Sequence, residues 1–255
     1  MAKLSRTFSD KRLKSNPKDK STLIKRMSSR KETTRLPEHA LLGDLFLTCD
    51  EEQILDLTSK NELVISRARV THDIKGLKGN ANIFFDGIDN NINIVNDVHL
   101  NLGLNDFTID WWEYKLPIPK PNPDDINVKQ YSFYKNSIDR KQPILIKTTD
   151  HKSIYLSSDG DHWDIADDKF MGVVDENKWT HWVIARSNDN LYTFKNGIIK
   201  NIWMSDKPIN GSDGYLTIGS GPMGNNFYGY INNFRLVKNQ ALWTEEFNIK
   251  KDLFY

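Results

Sequence analysis

The stretch Leu216–Leu236 reads LTIGSGPMGNNFYGYINNFRL, and it decides the fold class of this chain. Its glycines at 219, 221 and 224 match a dinucleotide-binding turn, which requires a helix directly after the glycines to hold a pyrophosphate. The residues that follow, 227–236, are instead rich in aromatic and β-branched side chains, which is the composition of a strand. The stretch therefore predicts two strands joined by a glycine-rich loop and argues against a nucleotide enzyme.

The same pattern extends outward from this stretch, from about Leu63 to the end of the chain. Short apolar and aromatic runs are separated by clusters of Asn, Asp, Gly and Pro, which favours an antiparallel sandwich or barrel over alternating strands and helices. The sequence therefore predicts an all-β protein. The predicted strands include ANIFF, NINIV, FTIDWWEY, QYSFY, PILIKT, SIYLSS, THWVIARS, LYTFKNG, YLTIG and FYGYINNFRLV.

Residues 1–40 form a basic arm, with twelve Lys and Arg against four acidic residues in a chain whose formal net charge is only +1. The arm is poor in apolar residues, so we expect it to stay extended until a partner orders it. An acidic protein surface and the phosphates of a nucleic acid both suit this charge. The protein surface is favoured, because Phe8 is the arm's single aromatic residue and base stacking has little support. The cations expected to anchor the chain are Lys11, Arg12, Lys14, Lys25, Arg26, Arg30 and Lys31.

Residues 41–62 are predicted to be a linker with a short helix that starts near Asp50, where acidic residues suit the helix dipole. Residues 63–255 are predicted to form the folded domain, with a projecting loop at the proline-rich segment 116–123. We find no export signal and no apolar segment long enough for membrane insertion. The single cysteine, Cys49, excludes an internal disulfide and is typical of a reducing compartment.

Seven short motifs occur in a fixed order along the predicted domain. They are Phe85-Asp86-Gly87, FTIDWW at 107–112, WTHWV at 179–183, LYTFKNG at 191–197, LTIG at 216–219, YGYINNFR at 228–235 and ALWTEEF at 241–247. In this order they resemble the laminin-G-like branch of the concanavalin A-like lectin/glucanase superfamily, particularly versions found in bacteriophage structural proteins. The resemblance covers roughly residues 79–247.

The resemblance implies an antiparallel two-sheet jelly-roll sandwich of the concanavalin A-like kind, preceded by the basic, extended N-terminal arm. Most of the matching residues are then scaffold, and His181 occupies a position that the family uses structurally. Gly229 is expected where two backbones approach closely. Inward-facing side chains are expected at Trp179, Val183, Phe194, Ile218, Ile231 and Phe234.

Some members of this superfamily are glycosidases, which need two carboxylates that flank one bond. Their characteristic Glu-x-Asp-x-x-Glu strand has no copy here. Asp110 and Glu113 are three positions apart on a predicted strand, so we expect their side chains on opposite faces. Nucleophile-elbow and zinc-protease motifs are also absent from the sequence. We therefore predict a non-enzymatic protein with no catalytic residue.

The densest acidic stretch is DGDHWDIADD, residues 159–168. A tryptophan beside carboxylates and a histidine is a usual sugar-stacking arrangement, so the candidate carbohydrate-binding residues are Trp163, Asp161, His162 and Asp164. No cofactor is predicted, although calcium with Asp159, Asp161 and Asp164 as ligands is an alternative. The stretch lacks the spacing of a calcium loop, and a solvated hairpin at Asp159-Gly160, with Trp163 packed on the sandwich face, is the favoured interpretation.

These features together predict a non-enzymatic bacteriophage virion protein, assembled in the host cytoplasm, in the capsid decoration or the tail. The arm would contact other virion proteins, and the sandwich would be displayed, with host-surface polysaccharide as a candidate ligand. The alternatives are a glycoside hydrolase of the same superfamily and a protein that binds nucleic acid through its arm.

Overall fold

The computed structural model describes residues 43–77, 81–95, 98–118, 129–136 and 141–249. These residues form two antiparallel sheets packed against each other, which confirms the predicted all-β sandwich. The arm at residues 1–40, with its anchoring cations, and the greater part of the proline-rich segment lie outside the described residues. No helix in the described part of the chain is long and apolar enough to span a membrane.

Sixteen strands and two short 3₁₀ helices, Val98–Leu100 and Pro222–Gly224, are present in the described residues. The strands are β1 Leu45–Cys49, β2 Ile54–Asp56, β3 Leu63–Ser66, β4 Arg69–Thr71, β5 Asn82–Asp86, β6 Asn91–Ile94, β7 Phe107–Lys115, β8 Gln130–Lys135, β9 Ile144–Thr148, β10 His151–Leu156, β11 Ala166–Val173, β12 Trp179–Ser187, β13 Asn190–Lys195, β14 Ile198–Met204, β15 Leu216–Ile218 and β16 Tyr228–Lys238.

The larger sheet has the order β14-β13-β12-β7-β16-β1-β2, and β5 and β4 continue it beside β16. The smaller sheet has the order β11-β10-β9-β8-β15-β6-β3. Neighbouring strands are often far apart in sequence, as where β7 lies between β12 and β16. The chain therefore crosses repeatedly between the two sheets, as a jelly roll does.

The core lies between the sheets and is built around aromatic rings. Trp111 of β7 is fully buried, and its ring lies edge-to-face on Phe133 of β8, with 5.0 Å between centroids. Phe133 also lies edge-to-face on Phe234 of β16 at 5.0 Å. Trp111 and Phe234 belong to the larger sheet and Phe133 to the smaller one, so these contacts hold the two sheets together.

The glycine-rich loop after β15 is a connection between strands, as predicted. Gly219 has φ +82°, and a Cβ at this position would lie 2.0 Å from the ring of Phe85. Gly229 has φ +146°, and a Cβ there would lie 2.2 Å from the carbonyl oxygen of Tyr114. Both positions therefore require glycine for packing and backbone conformation, and neither glycine faces a nucleotide.

The segment predicted to contain a short helix instead forms β1 and β2, and β1 pairs with β16 of the larger sheet. The Asp50 carboxylate accepts hydrogen bonds from the backbone N–H groups of Glu52 and Gln53, each at 2.9 Å. An acidic residue that accepts bonds two and three residues ahead stabilises a tight turn as well as a helix start. The predicted helix start at Asp50 is therefore wrong, and the acidic residue stabilises a turn between two strands instead.

The predicted inward side chains are found in three different environments. Ile218, Ile231 and Phe234 are buried between the sheets. Val183 and Phe194 are buried on the outer side of the larger sheet, where Trp243 and Phe247 cover them. Trp179 is only half-buried, because alternation along β12 turns Trp182 toward the core and leaves Trp179 outside. Its indole Nε1 donates to the Lys75 carbonyl at 3.0 Å.

Candidate functional site

The acidic stretch forms the loop that joins β10 to β11, as the hairpin interpretation predicted. The Asp159 carboxylate accepts hydrogen bonds from the backbone N–H groups of Asp161 and His162, each at 2.8 Å. It also contacts His162 Nδ1 at 2.8 Å. The hydrogen bond from His162, followed by the backbone N–H groups, lowers the pKa of Asp159, and the same contact raises the pKa of His162.

The Asp164 carboxylate closes the same loop from the other side. It accepts hydrogen bonds from the backbone N–H and the hydroxyl of Ser158, at 2.8 and 2.6 Å. Lys207 Nζ donates to it at 2.9 Å. Partial burial opposes ionisation, but these hydrogen bonds outweigh it and lower the pKa of Asp164 to about 2.

The three candidate calcium ligands are therefore not arranged around a common point. Asp159 and Asp164 both bond to the loop itself, and Asp161 is exposed. Within the described ranges, no group of three or more His, Cys, Asp or Glu side chains is placed to hold a metal ion.

Trp163 projects from this loop onto the outer surface of the smaller sheet. Its ring lies edge-to-face on Tyr155 of β10 with 5.4 Å between centroids, and both side chains are half-buried. The packing on the sandwich face that the sequence predicted therefore leaves part of the indole exposed. A rigid, partly exposed pair of rings is a surface on which another flat apolar face can lie.

A hydrogen-bonded network adjoins this pair of rings. Lys147 Nζ of β9 donates to the Tyr155 hydroxyl oxygen at 2.7 Å and to Asp168 Oδ1 of β11 at 2.6 Å. The Tyr155 hydroxyl donates to the same Asp168 oxygen at 2.6 Å. The Lys147 ammonium also lies 5.2 Å from the centroid of the Tyr155 ring. We call Lys147, Tyr155, Trp163 and Asp168 the open face.

A β-bulge brings Asp168 into this network. The pairing of β10 with β11 shifts register between Ile154 and Leu156, and Asp168 has φ +48°. A bulge of this kind redirects one side chain of a strand, and here it directs Asp168 toward its neighbours on β9 and β10. The Asp168 side chain stays 50% exposed, so its carboxylate remains accessible to a ligand.

The network fixes the charge of each member. Partial burial raises the pKa of Tyr155 to about 12, with a further contribution from the Asp168 hydrogen bond. Burial opposes ionisation of Asp168, but the hydrogen bonds from Lys147 and Tyr155 lower its pKa to about 2. Near neutral pH the open face therefore presents a carboxylate, an ammonium and a phenol with constant charges.

Sequence reasoning selected Trp163 but missed Lys147, Tyr155 and Asp168. Lys147 follows the buried Ile146 in β9, and Tyr155 lies between the buried Ile154 and Leu156 in β10, and this alternation predicts that they face outward. Their closeness depends on the pairing of β9 with β10, which the sequence did not specify. Asp161 and His162, which were selected, are exposed beside the open face and have no contact with its network.

The larger sheet carries a second cluster of charged and aromatic groups, but it is covered. Asp110 of β7 accepts hydrogen bonds from Arg235 Nε at 2.8 Å and Arg235 Nη2 at 3.1 Å, and it lies 3.0 Å from His181 Nε2. The Trp243 ring lies over the Arg235 guanidinium, with 5.6 Å between the ring centroid and the guanidinium carbon. Burial lowers the pKa of His181, whereas Arg235 and His181 outweigh burial at Asp110 and lower its pKa to about 2.

Glu113 lies on the opposite face of β7 from Asp110, as predicted. It is buried between the sheets, where Lys152 Nζ donates to Glu113 Oε2 at 2.8 Å. Lys152 also donates to the hydroxyls of Ser132 and Thr148, each at 2.6 Å. The two carboxylates therefore belong to separate buried clusters and do not face a common cleft.

The fold defines the class of protein as an antiparallel two-sheet β-sandwich. No protein-family model and no curated protein sequence match the chain. Its fold resembles the binding domain of Paraclostridial Mosquitocidal Protein 1, with a TM-score of 0.61 and 14% identity over 82% of this chain and 50% of that one. It also resembles the botulinum neurotoxin serotype G binding domain, with a TM-score of 0.58 and 15% identity over 82% and 49%.

A third similar structure is domain 4 of AbnA, a GH43 extracellular arabinanase from Geobacillus stearothermophilus, in complex with arabinotriose. The TM-score is 0.50, with 13% identity over 72% of this chain and 85% of that one. The chain spans about half the length of the two toxin binding domains. Identities this low establish a common fold and nothing more specific.

Proposed function

We propose that this chain is a non-enzymatic carbohydrate-binding module and that the open face is its binding surface. The observation that carries the proposal is the half-buried Trp163–Tyr155 pair beside the half-exposed Asp168 carboxylate, which pairs with Lys147. One face of a sugar ring consists largely of C–H groups that pack on an aromatic ring, while its hydroxyls accept and donate charge-assisted hydrogen bonds. Two similar structures are described as binding domains, and a third holds arabinotriose.

The charges around the open face favour a neutral glycan. Residues 159–168 contain five aspartates. Lys141, Lys147, Lys169 and Lys207 are cations beside them in this part of the described structure, so the five carboxylates exceed the four ammonium groups only slightly. A polysaccharide that carries carboxylates or sulfates would be weakly repelled, and the repulsion would decrease with added salt.

The test is a comparison of two Trp→Ala variants on a panel of neutral and acidic polysaccharides, using affinity electrophoresis of the full chain. We expect retardation by at least one neutral polysaccharide and a loss of affinity of about tenfold or more in Trp163→Ala. Trp179→Ala, on the other sheet, is the matched control and should bind as the wild type does. Equal binding by wild type and Trp163→Ala would exclude the open face as the site.

The same panel tests the absence of catalysis. Asp110 and Glu113 are both buried in ion pairs and on opposite faces of β7, so we expect no release of reducing ends above the buffer rate. Turnover of any polysaccharide in the panel would support the glycosidase alternative instead.

We propose further that the module is displayed on a bacteriophage particle, to which residues 1–40 anchor it. Support comes from the order of sequence motifs and from the charge of this arm, twelve cations against four acidic residues. A segment with this charge and few apolar residues gains contacts with an acidic neighbour only when that neighbour is present.

Removal of residues 1–40 tests this setting. The sandwich begins at β1, so we expect the shortened chain to keep its thermal transition and to lose incorporation into particles. A native protein that is never associated with particles would contradict the proposal. Retention of DNA by the arm alone at moderate salt, in a mobility-shift experiment, would favour the nucleic-acid alternative.

A further inference from the structure

A cleft of about 510 Å³ lies at an edge of the sandwich and shares no lining residue with the open face. We call it the edge cleft. Its walls are the turn between β5 and β6 and the glycine-rich loop between β15 and β16, and the start of β8 lies beside them. It is lined by Phe84, Asp86, Gly87, Ile88, Ile118, Lys129, Gln130, Gly224, Asn225, Asn226 and Tyr228.

Hydrogen bonds hold the two walls in place. The Asp86 carboxylate accepts from the backbone N–H of Ile88 at 2.8 Å and fixes the first turn. Asn226 Nδ2 donates to the Ile88 carbonyl and joins that turn to the glycine-rich loop. Asn225 Nδ2 donates to the Pro222 carbonyl at 2.9 Å. The shape of the cleft therefore exists before any ligand binds.

Three amide side chains in the lining, those of Gln130, Asn225 and Asn226, each use only part of their hydrogen-bonding capacity within the described residues. Gln130 is only 2% exposed, and its Oε1 accepts from the Tyr228 backbone N–H at 3.4 Å. Its Nε2 has no hydrogen-bond partner among the described residues, and neither does Oδ1 of Asn225 or Asn226. A nearly buried amide with an unused donor needs a partner from water or from a ligand.

The remaining wall is apolar and aromatic. The Phe84 and Tyr228 rings lie edge-to-face with 6.2 Å between centroids, and both are half-buried. Ile88 is 74% exposed at the opening. The cleft therefore combines flat apolar surface with amide donors and acceptors, and its lining has one cation, Lys129, beside one carboxylate, Asp86.

We infer that the edge cleft binds a terminal sugar unit of a neutral glycan and is a second site, independent of the open face. Amide groups both donate to and accept from hydroxyls, and the aromatic wall packs on the C–H face of the ring. The balanced charge of the lining offers no preference for an anion. A walled cleft of this volume encloses one end of a ligand, whereas the flat open face accommodates a stretch of chain. The choice of a sugar rests on the proposed function, and the location of the site does not.

The experiment is a titration of the ¹⁵N-labelled full chain with glucose, galactose, mannose, arabinose and N-acetylglucosamine, each added separately. With at least one sugar, we expect saturable shifts of the Gln130 side-chain amide and of the Gly87 and Gly224 backbone amides. Gln130→Met and Asn225→Ala each remove one side-chain amide and should weaken the affinity measured from the Gly87 and Gly224 shifts about tenfold. Asn225 is in a surface loop, so we expect Asn225→Ala to fold, and it can test the site even if Gln130→Met unfolds the protein.

These experiments test the edge cleft and the open face independently of each other. Shifts at the edge cleft that persist in Trp163→Ala support an independent site, even if the polysaccharide experiment excludes the open face. Absence of saturable shifts at these amides with all five sugars would overturn the inference, even if Trp163→Ala abolishes polysaccharide binding. Shifts that are unchanged in both Gln130→Met and Asn225→Ala would overturn it as well.

Discussion

The outer surface of each sheet carries a tryptophan ring beside an ion pair, but the two clusters differ in how deeply they are buried. On the larger sheet, Trp243 covers the ion pair of Asp110 with Arg235, and both charged residues are less than 9% exposed. On the smaller sheet, Trp163 lies beside the ion pair of Lys147 with Asp168, and Asp168 is half exposed. An aromatic ring beside an ion pair therefore does not define a binding site, because in the covered cluster the Asp110 carboxylate is buried and already bonded to Arg235 and His181.

The covering of the larger sheet comes from one stretch near the C-terminal end, residues 241–247. Trp243 and Phe247 stack with 4.3 Å between centroids, and both rings face His181. The Leu242 backbone N–H donates to Thr108 Oγ1 at 2.8 Å, and the Phe247 N–H donates to the Gly197 carbonyl at 2.9 Å. The smaller sheet has no equivalent cover in the described residues, and this difference distinguishes a structural cluster from a candidate site.

The largest effect expected from this comparison follows from breaking each ion pair. Arg235→Ala leaves the Asp110 carboxylate buried with one partner fewer and should lower the free energy of unfolding by about 3–5 kcal/mol. Lys147→Ala breaks a pair whose carboxylate is half exposed and should lower it by about 1 kcal/mol or less. Denaturant unfolding measures both values. Similar losses in the two variants would mean that the two clusters are equally structural.

The two tryptophans provide the next comparison. Trp243→Ala removes the stacked cover and should lower the free energy of unfolding by about 1–3 kcal/mol, less than for a fully buried tryptophan because the ring is half exposed. Trp163→Ala should change stability by about 0.5 kcal/mol and reduce glycan binding instead. Thermal unfolding followed by tryptophan fluorescence checks the first effect. A Trp163→Ala variant that unfolds as readily as Trp243→Ala would assign Trp163 to the scaffold.

The sequence predicted the strands well because their signals are local. Alternation and turn residues placed β7, β12 and β16, and the spacing of Asp110 and Glu113 correctly put them on opposite faces. The strands β1 and β2 were missed because an acidic turn at Asp50 gives the same local signal as a helix start. Local pattern therefore determined most of the secondary structure, but it also missed β11 and β14, whose segments ADDKFMGV and IIKNIWM were not among the predicted strands.

The candidate site was harder to predict because it depends on pairing between strands. Trp163 was found from its acidic neighbours, but the open face also needs the register of β9 with β10 and the bulge at Asp168. Trp179 was expected in the core because a motif match does not specify which face of a strand a residue occupies. Burial on the outer side of a sheet, as for Val183, depends on a segment almost sixty residues away in sequence.

Two histidines, one in each region, should respond to pH in opposite directions. Burial lowers the pKa of His181 below its unfolded value of about 6.5, so the unfolded chain binds more protons and stability decreases as pH falls below about 6.5. The Asp159 hydrogen bond raises the pKa of His162, so its contribution is present at low pH and is lost as pH rises through the raised value. Histidine ¹H–¹³C NMR spectra recorded against pH measure both directly, with His162→Gln to assign the exposed signal. A His181 signal that titrates above that of His162 would mean that the Asp110 carboxylate outweighs burial at His181.

The smallest effect expected is on binding, where the open face should be almost insensitive to pH. Asp168 has a pKa of about 2 and Tyr155 one of about 12, and the hydrogen bonds from Lys147 to Asp168 and Tyr155 outweigh its burial and raise the pKa of the ammonium. None of these groups changes its charge between about pH 5 and pH 9, so affinity for a neutral glycan should stay constant within about twofold over that interval. His162 is the titratable group near the face whose charge does change there, which makes it the internal control. Isothermal titration at several pH values, on wild type and His162→Gln, shows whether the binding site includes His162. A flat profile in both proteins places binding on the open face alone, whereas a step in the wild type that disappears in His162→Gln would extend the site to His162. A step that persists in His162→Gln would mean that the charges of the Lys147–Tyr155–Asp168 network differ from those derived from its hydrogen bonds.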